Sequence, residues 1–327
     1  MNIKQHIAQN KLVLFIRLLG QYLPEILLFS KELGQANTKN NHKKYKARLT
    51  IEFHSIEKGL SIGGARVGFG QEKIISAIKN LSDFYLKFYD SEFVLLNLAI
   101  VDKYLDFNET KKNELPQIIQ MRNNLYNIIE SQKNSCSEVG VITKNKLTVL
   151  KSTHSDFSEF SNSRFSIRDF NSEEPVDKQK IYDALEIAMK TPSACNRQPW
   201  CIHLFSGNKK NQLLEYQGGC KGFIEQIEYA ILLSVDLNMY FINEINQPYV
   251  DGGIYGMNLL YALHYKGLAT IPLTTGFKQR KLNKLKERFD IPANETPVMI
   301  IGIGSYKNEY KVAVSHRIAY EKYFTEH

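Results

Sequence analysis

The chain has 327 residues, 43% of them hydrophobic and 23% charged, which is the balance of a soluble globular protein long enough for two domains with substantial cores. Its formal net charge of +8 favours anionic ligands or surfaces, but the basic residues are mixed with acidic ones and follow no recognised binding motif, so no nucleic-acid partner is expected. Cys136, Cys195, Cys201 and Cys220 form neither a CxxC pair nor a metal-ligand spacing, and the histidines His54, His203, His264 and His316 are scattered; a secreted disulfide scaffold is excluded, no metal site is expected, and a reducing cytoplasm is the natural setting.

In chain order, Leu12-Val-Leu-Phe-Ile16 and Leu23 to Phe29 come first and invite a membrane reading. Arg17, Pro24 and Glu25 interrupt the run short of the ~20 apolar residues that span hydrocarbon, so a buried amphipathic helix is expected. The alternative is a helix on a membrane surface, for which Lys31, Lys39, Lys43, Lys44, Lys46 and Arg48 supply positive charge. His54 to Leu60 and Gly63 to Gly70 form a dense polar and glycine-rich patch. Its glycines follow no strand and fit neither established glycine-rich fingerprint, so a hinge is the default; otherwise His54, Glu57, Lys58 and Arg66 line a second polar surface that roofs the ligand site of the second half and selects what reacts there. Glu72 to Tyr89, Glu92 to Leu105 and Pro116 to Gln132 repeat apolar residues at helical spacing. Residues 1–150 therefore read as an all-helical domain with almost no strand signal, ending in a polar boundary near 144–163.

Beyond the boundary, Arg164-Phe-Ser-Ile-Arg-Asp-Phe170 combines cations and a hydroxyl in a pattern suited to a flat, phosphate-bearing ligand. A helix follows: Pro175 and Asp177 mark its start, Ile181, Leu185, Ala188 and Met189 recur at its period, and Pro192 ends it. Thr191-Pro-Ser-Ala-Cys-Asn-Arg-Gln-Pro-Trp200 then forms a loop into a strand, Trp200 to Ser206. Asp251 to Leu268 reads as a long helix with Asp251 as N-cap, Gly267 as its stop, and Gly252, Gly253 and Gly256 permitting close backbone approach. Thr270 to Gly276 and the apolar strand Pro297 to Gly304 follow, and the tail carries Arg317.

Taken in order, these five elements resemble the nitroreductase family of flavin mononucleotide (FMN) enzymes over about residues 160–320. The resemblance implies an α+β fold, with a nitroreductase-like core at 160–327 (a mixed sheet packed by helices) preceded by the all-α domain of 1–150. It implies that Arg164 and Arg317 pair with the flavin phosphate, a group that the guanidinium fork suits. Ser166 falls on the ribityl or phosphate portion, and Phe165 joins the cofactor-binding set, although with Trp200 it reads most simply as core. Arg168 falls near the pyrimidine edge, where a fixed cation stabilises the charge left by hydride arriving at N5. Thr270 to Gly276 is similar to the family's turn above the reactive edge; backbone N–H groups among Leu273, Thr274 and Thr275 would donate to N5, since Pro272 has none. Pro192, Ser193, Ala194 and Asn196 would reach the flavin from the partner subunit of a homodimer. Cys195 either fills a small apolar space or turns its thiol into the substrate space. The catalytic contributions fall to Arg168 and Thr274, and the implied activity passes hydride from NADH or NADPH through the flavin to an unidentified small oxidised acceptor in ping-pong fashion. The alternatives are a dehydrogenase oxidising a biosynthetic intermediate, or a non-catalytic protein docking on a membrane or acidic partner.

Overall fold

The computed structural model describes residues 10–33, 38–129 and 139–327, so Cys136 lies outside the described residues. Helix α1 (Lys11–Glu32) opens on Asn10, whose side chain accepts from the Leu12 and Val13 N–H groups. It runs through Pro24 for 22 residues and buries none of them, which corrects both the interruption and the burial expected from sequence. By length and composition alone it could cross a membrane. Tyr22 Oη donates to Ile242 O (2.8 Å) and Asn246 Nδ2 donates to Glu25 Oε1 (2.8 Å), tying the helix to the far half of the chain.

Helix α2 (His42–Leu60) is not among the periodic segments, whereas α3 (Gln71–Phe88), α4 (Ser91–Phe107) and α5 (Pro116–Ile128) correspond to the three that are, with residues 130–132 outside the described set. Tyr45, Leu49, Phe53 and Ile56 of α2, Ile74, Ile78 and Leu81 of α3, and Leu98, Val101 and Tyr104 of α4 interlock in one core. Residues 54–60 of the polar and glycine-rich patch are the last turns of α2 and not a hinge, while beyond it Gly64, Gly68 and Gly70 take φ of 68°, 78° and 66°, left-handed geometry that glycine adopts without steric cost.

The expectation of a strandless first half needs one correction. Strand β1 (Val141–Asn145) pairs antiparallel with β7 (Glu309–Ala313), Val141 opposite Ala313. Its partner is about 170 residues away along the sequence, beyond any local pattern.

The C-terminal half continues through α6 (Lys146–Ser152), α7 (Phe157–Ser163), β2 (Phe170–Asn171), α8 (Lys178–Ala188), β3 (Trp200–Ser206), α9 (Gly207–Gln217), β4 (Tyr229–Asp236), α10 (Gln247–Tyr265), β5 (Ala269–Thr274), α11 (Gln279–Arg288) and β6 (Glu295–Tyr306). The sheet order is β2-β6-β4-β3, with β5 also paired to β6. The class is α+β, as read from sequence, but every pairing among the described strands is antiparallel rather than mixed in direction. Period-two alternation sorts the sheet's two faces. Ile231, Leu233, Ile301 and Ile303 pack with Ile181 of α8 and Leu259 of α10, whereas Ala230, Leu232 and Ile300 pack with Leu213 of α9 and Leu285 of α11. Trp200 is buried and stacks on Tyr255 with centroids 4.7 Å apart.

Helix α10 starts one turn before its sequence reading, with Asn246 as N-cap, so Asp251 is an interior residue and not the cap. Gly267 does end it, at φ 72°. A Cβ at Gly252 would fall 2.7 Å from Val298 Cγ2 and one at Gly256 3.1 Å from Met299, whereas Gly253 has nothing within 4 Å; only the first two mediate close packing. Likewise Met189, expected on the buried stripe of α8, is exposed just beyond its end.

Candidate functional site

Arg164 follows α7 directly in extended conformation, and the chain then runs beside β5, where the Ile167 N–H donates to Thr270 O (2.9 Å). Phe165 and Ile167 turn into the core that contains Ile271. Below Arg164 lies a chain of polar groups: Ser163 Oγ meets His264 Nε2 at 2.7 Å, and His264 Nδ1 meets Tyr306 Oη at 3.0 Å. Burial, and then the Arg164 charge, push His264 down to about 4. The Arg164 guanidinium is itself lowered by burial, while Tyr261 and Tyr306 act to raise it and the facing charge of Arg317 to lower it. Arg317 comes in from the tail, its Nη1 donating to Ser315 O (2.5 Å). Arg164 Nη1 is buried and has no hydrogen-bond partner. A buried, unpaired guanidinium N–H beside a second guanidinium is costly unless an anion joins the two, so the donor set fits a phosphate.

Arg168 is buried and donates through Nη1 to Ser166 O (3.3 Å). Burial lowers its guanidinium, while Cys220 and Glu57 act in the opposite sense. The same Cys220 follows the 217–219 segment, which meets the end of β5: Gln217 Nε2 donates to Thr274 O (3.1 Å), and a Cβ at Gly219 would stand 3.3 Å from Leu273. Residues 270–274 are thus strand rather than turn, and the turn proper begins at Thr275, whose Oγ1 donates to Pro297 O (3.0 Å). Arg164, Phe165, Ser166, Arg168, Leu273, Thr274, Thr275 and Arg317 occupy one connected region, the β5 edge of the sheet and the segments packed on it.

The loop Pro192, Ser193, Ala194 and Asn196 lies elsewhere. The Ala194 N–H donates to Asp251 (3.2 Å), which also receives Tyr240 Oη and Gln247 Nε2 (2.9 Å each), and Ser193 Oγ accepts the Gln198 N–H (2.9 Å). Cys195, Asn196 and Gln198 hold φ of 51°, 55° and 51°, a run of left-handed residues that costs free energy and presents the loop outward. Cys195 is exposed, which removes the apolar-filler reading within the single chain. Asp251 precedes His264 by 13 residues on α10, about 20 Å at 1.5 Å per residue. Across the sheet, β3 and β5 are separated by β4 and β6, or about 14 Å. One chain therefore keeps the loop and the cations apart.

Sequence reading missed the support under Arg164. His264 counted as one scattered histidine, yet it shares the buried stripe of α10 with Leu260 and Leu263, and a titratable group on such a stripe is the signal that was available.

The fold is an antiparallel sheet backed by helices, with the buried, unpartnered Arg164 Nη1 and the nearby Arg317 at one edge, a donor set suited to a phosphate-bearing ligand. Residues 162–305 match the model of the Nitroreductase family, so the C-terminal half carries a nitroreductase-family domain. Among curated relatives, YodC of Bacillus subtilis, named as an NAD(P)H nitroreductase, is 26% identical over 176 residues, 43% of this chain and 85% of that protein. Spy0809 of Streptococcus pyogenes serotype M6, named likewise, is 24% identical over 196 residues, 50% of this chain and 94% of its own length. Among solved structures, an FMN complex described as a nitroreductase from Exiguobacterium sibiricum is 18% identical, covers 53% of this chain and 98% of its own, and has a TM-score of 0.46.

Proposed function

We propose that the protein is an FMN-dependent oxidoreductase using NADH or NADPH, and that it works as a homodimer. The observation that carries this reading is the orphaned, buried Arg164 Nη1 beside Arg317. Arg164 and Arg317 would hold the phosphate, Ser166 the ribityl portion, Arg168 the pyrimidine edge, and N–H groups of Leu273 to Thr275 the N5 edge. When bound, FMN supplies hydride chemistry between the reduced nicotinamide and a small oxidised acceptor, the two taking turns at one face. The protein's own part is to position and to stabilise charge. Arg168 is a fixed cation in a buried setting, where its field is strong. Pro192, Ser193, Ala194 and Asn196 would come from the second copy, because one chain separates them from the cations. The exposed apolar residues Tyr249, Val250, Ile254 and Met257 on α10 supply a face for that copy. The setting we propose is the cytoplasm, where NAD(P)H is plentiful and the thiols of Cys195, Cys201 and Cys220 stay reduced.

A visible spectrum of the purified protein, with release and identification of the cofactor, tests the reading: a flavin spectrum and FMN are expected, and colourless protein that takes up no FMN overturns it. Anaerobic mixing with NADH and NADPH follows. Failure of both nucleotides to bleach bound flavin would favour the dehydrogenase direction instead. The absence of any buried residue among the described residues of α1 favours a second reading for the helical half, docking on an anionic membrane surface, which sedimentation with anionic vesicles checks.

A further inference from the structure

The end of α2 and the loop after it are docked on the Arg168 segment. A Cβ at Gly63 would fall 2.0 Å from Asp169 Oδ1, so only glycine lets the loop come this close. Ile62 packs on the C-terminal core, 3.9 Å from the Cβ position of Gly222. Glu57 is buried, accepting the Gly140 N–H (3.1 Å) and meeting His54 Nδ1 (3.0 Å), which fixes the last turn of α2. Lys58 is thereby held in the field of Arg168. It is partly buried and its ammonium makes no ion pair or hydrogen bond among the described residues, while burial, and then Arg168, lower that ammonium. Glu57 is the carboxylate whose charge reaches Arg168. Farther along, Lys144 of β1 stands 4.8 Å from the Phe165 ring centroid, so the first 150 residues place cations at two points on the motif. Cations held together with a single buried carboxylate await a negative partner.

We propose, resting on the FMN reading above, that Lys58 is a second cation at the pyrimidine edge of the flavin, acting with Arg168 to favour the reduced, negatively charged cofactor over the oxidised one. The helical half of the chain then tunes the redox site. Its cation acts through the field in a partly desolvated setting, where a charge is screened less than at the surface.

The test compares wild-type, Lys58→Gln, Lys58→Met and Lys58→Arg full-length proteins loaded with FMN, measuring the midpoint potential and the FMN dissociation constant in each redox state. Gln and Met should weaken binding of reduced FMN about tenfold more than binding of oxidised FMN, which for a two-electron couple lowers the potential by about 30 mV. Arg should restore the wild-type potential. The melting temperature of the cofactor-free protein should not fall in the Gln variant, because the lost charge is one that Arg168 repels. Equal potentials in wild type and both neutral variants, or equal weakening of the two redox states, overturn the role of Lys58 while leaving FMN binding intact. Wild-type protein that holds no FMN overturns the reading of the site and this inference with it.

Discussion

Arg164 can be separated experimentally from an ordinary structural arginine because one of its nitrogens is buried without a partner. A hydrogen bond to a charged group contributes about 1.5–3 kcal/mol, so Arg164→Ala should raise the FMN dissociation constant by roughly 10- to 100-fold in a fluorescence titration, with little loss of apo stability. Arg317→Ala should act in the same direction but more weakly, since Arg317 is exposed and its Nη1 already donates to Ser315 O. Arg168→Ala should instead slow anaerobic reduction by the nicotinamide nucleotide more than it weakens binding. Equal flavin content and equal reduction rates in all three would remove the division of roles. His264 carries a pH prediction. Its value falls from 6.5 to about 4 in the folded chain, so between those values the unfolded state binds the extra proton, and stability rises with pH across that window. Urea unfolding should show stability lost as pH falls from about 6.5 towards 4, by about 3 kcal/mol in total, with no further loss from this group below that. His264→Gln, which cannot take up that proton, should flatten this part of the profile.

At the scale of elements, the glycines of α10 give a pair of opposite outcomes. Gly252→Ala puts a methyl 2.7 Å from Val298 and should destabilise by about 1–3 kcal/mol, while Gly253→Ala meets nothing within 4 Å and should stabilise by up to about 1 kcal/mol through helix propensity. Thermal unfolding of the two variants checks both signs. The sequence showed three glycines and could not rank them, because the distinction depends on which side of the helix meets β6. The same logic divides what was legible from what was not. Helix α8 and strand β3 were readable almost to the residue, since Asp177, Pro192 and the alternation from Trp200 to Ser206 are local signals. Asp251 was misread as a cap because it is an acidic residue ahead of an apolar run, whereas its carboxylate is committed to the Ala194 N–H, Tyr240 and Gln247, all supplied by the fold. Strand β1 depends on a partner more than 100 residues away, of which residue order carries no trace, whereas for Lys58 the sequence offers a polar surface but not Arg168, 110 residues on, as its neighbour. Helix α1 fails differently. Its pattern was seen, but Pro24 does not end the helix and no core covers it.

For the whole molecule, the separation of the 192–196 loop from the cation cluster determines how many chains a working site needs. The loop contacts α10 at Asp251, the cations gather near its other end at His264, and β4 and β6 stand between β3 and β5. A two-fold axis crossing the exposed face of α10 would lay the loop of each copy over the cations of the other, which makes two sites per dimer, each built from two chains. Ile254→Arg, on that exposed face, should therefore lower both the dimer fraction in sedimentation and the FMN content. A mixing experiment is more decisive. Arg164→Ala damages the cation side and Ser193→Trp the loop side, so each homodimer has two defective sites. In a heterodimer of the two, both defects fall in one site, and the other is assembled from an intact cation cluster and an intact loop. Co-expression in equal amounts should return about a quarter of the wild-type flavin sites, because half the dimers are mixed and each mixed dimer has one sound site. If each chain built its own site, every chain in the mixture would still carry one defect, and flavin content would stay at the level of the separate variants.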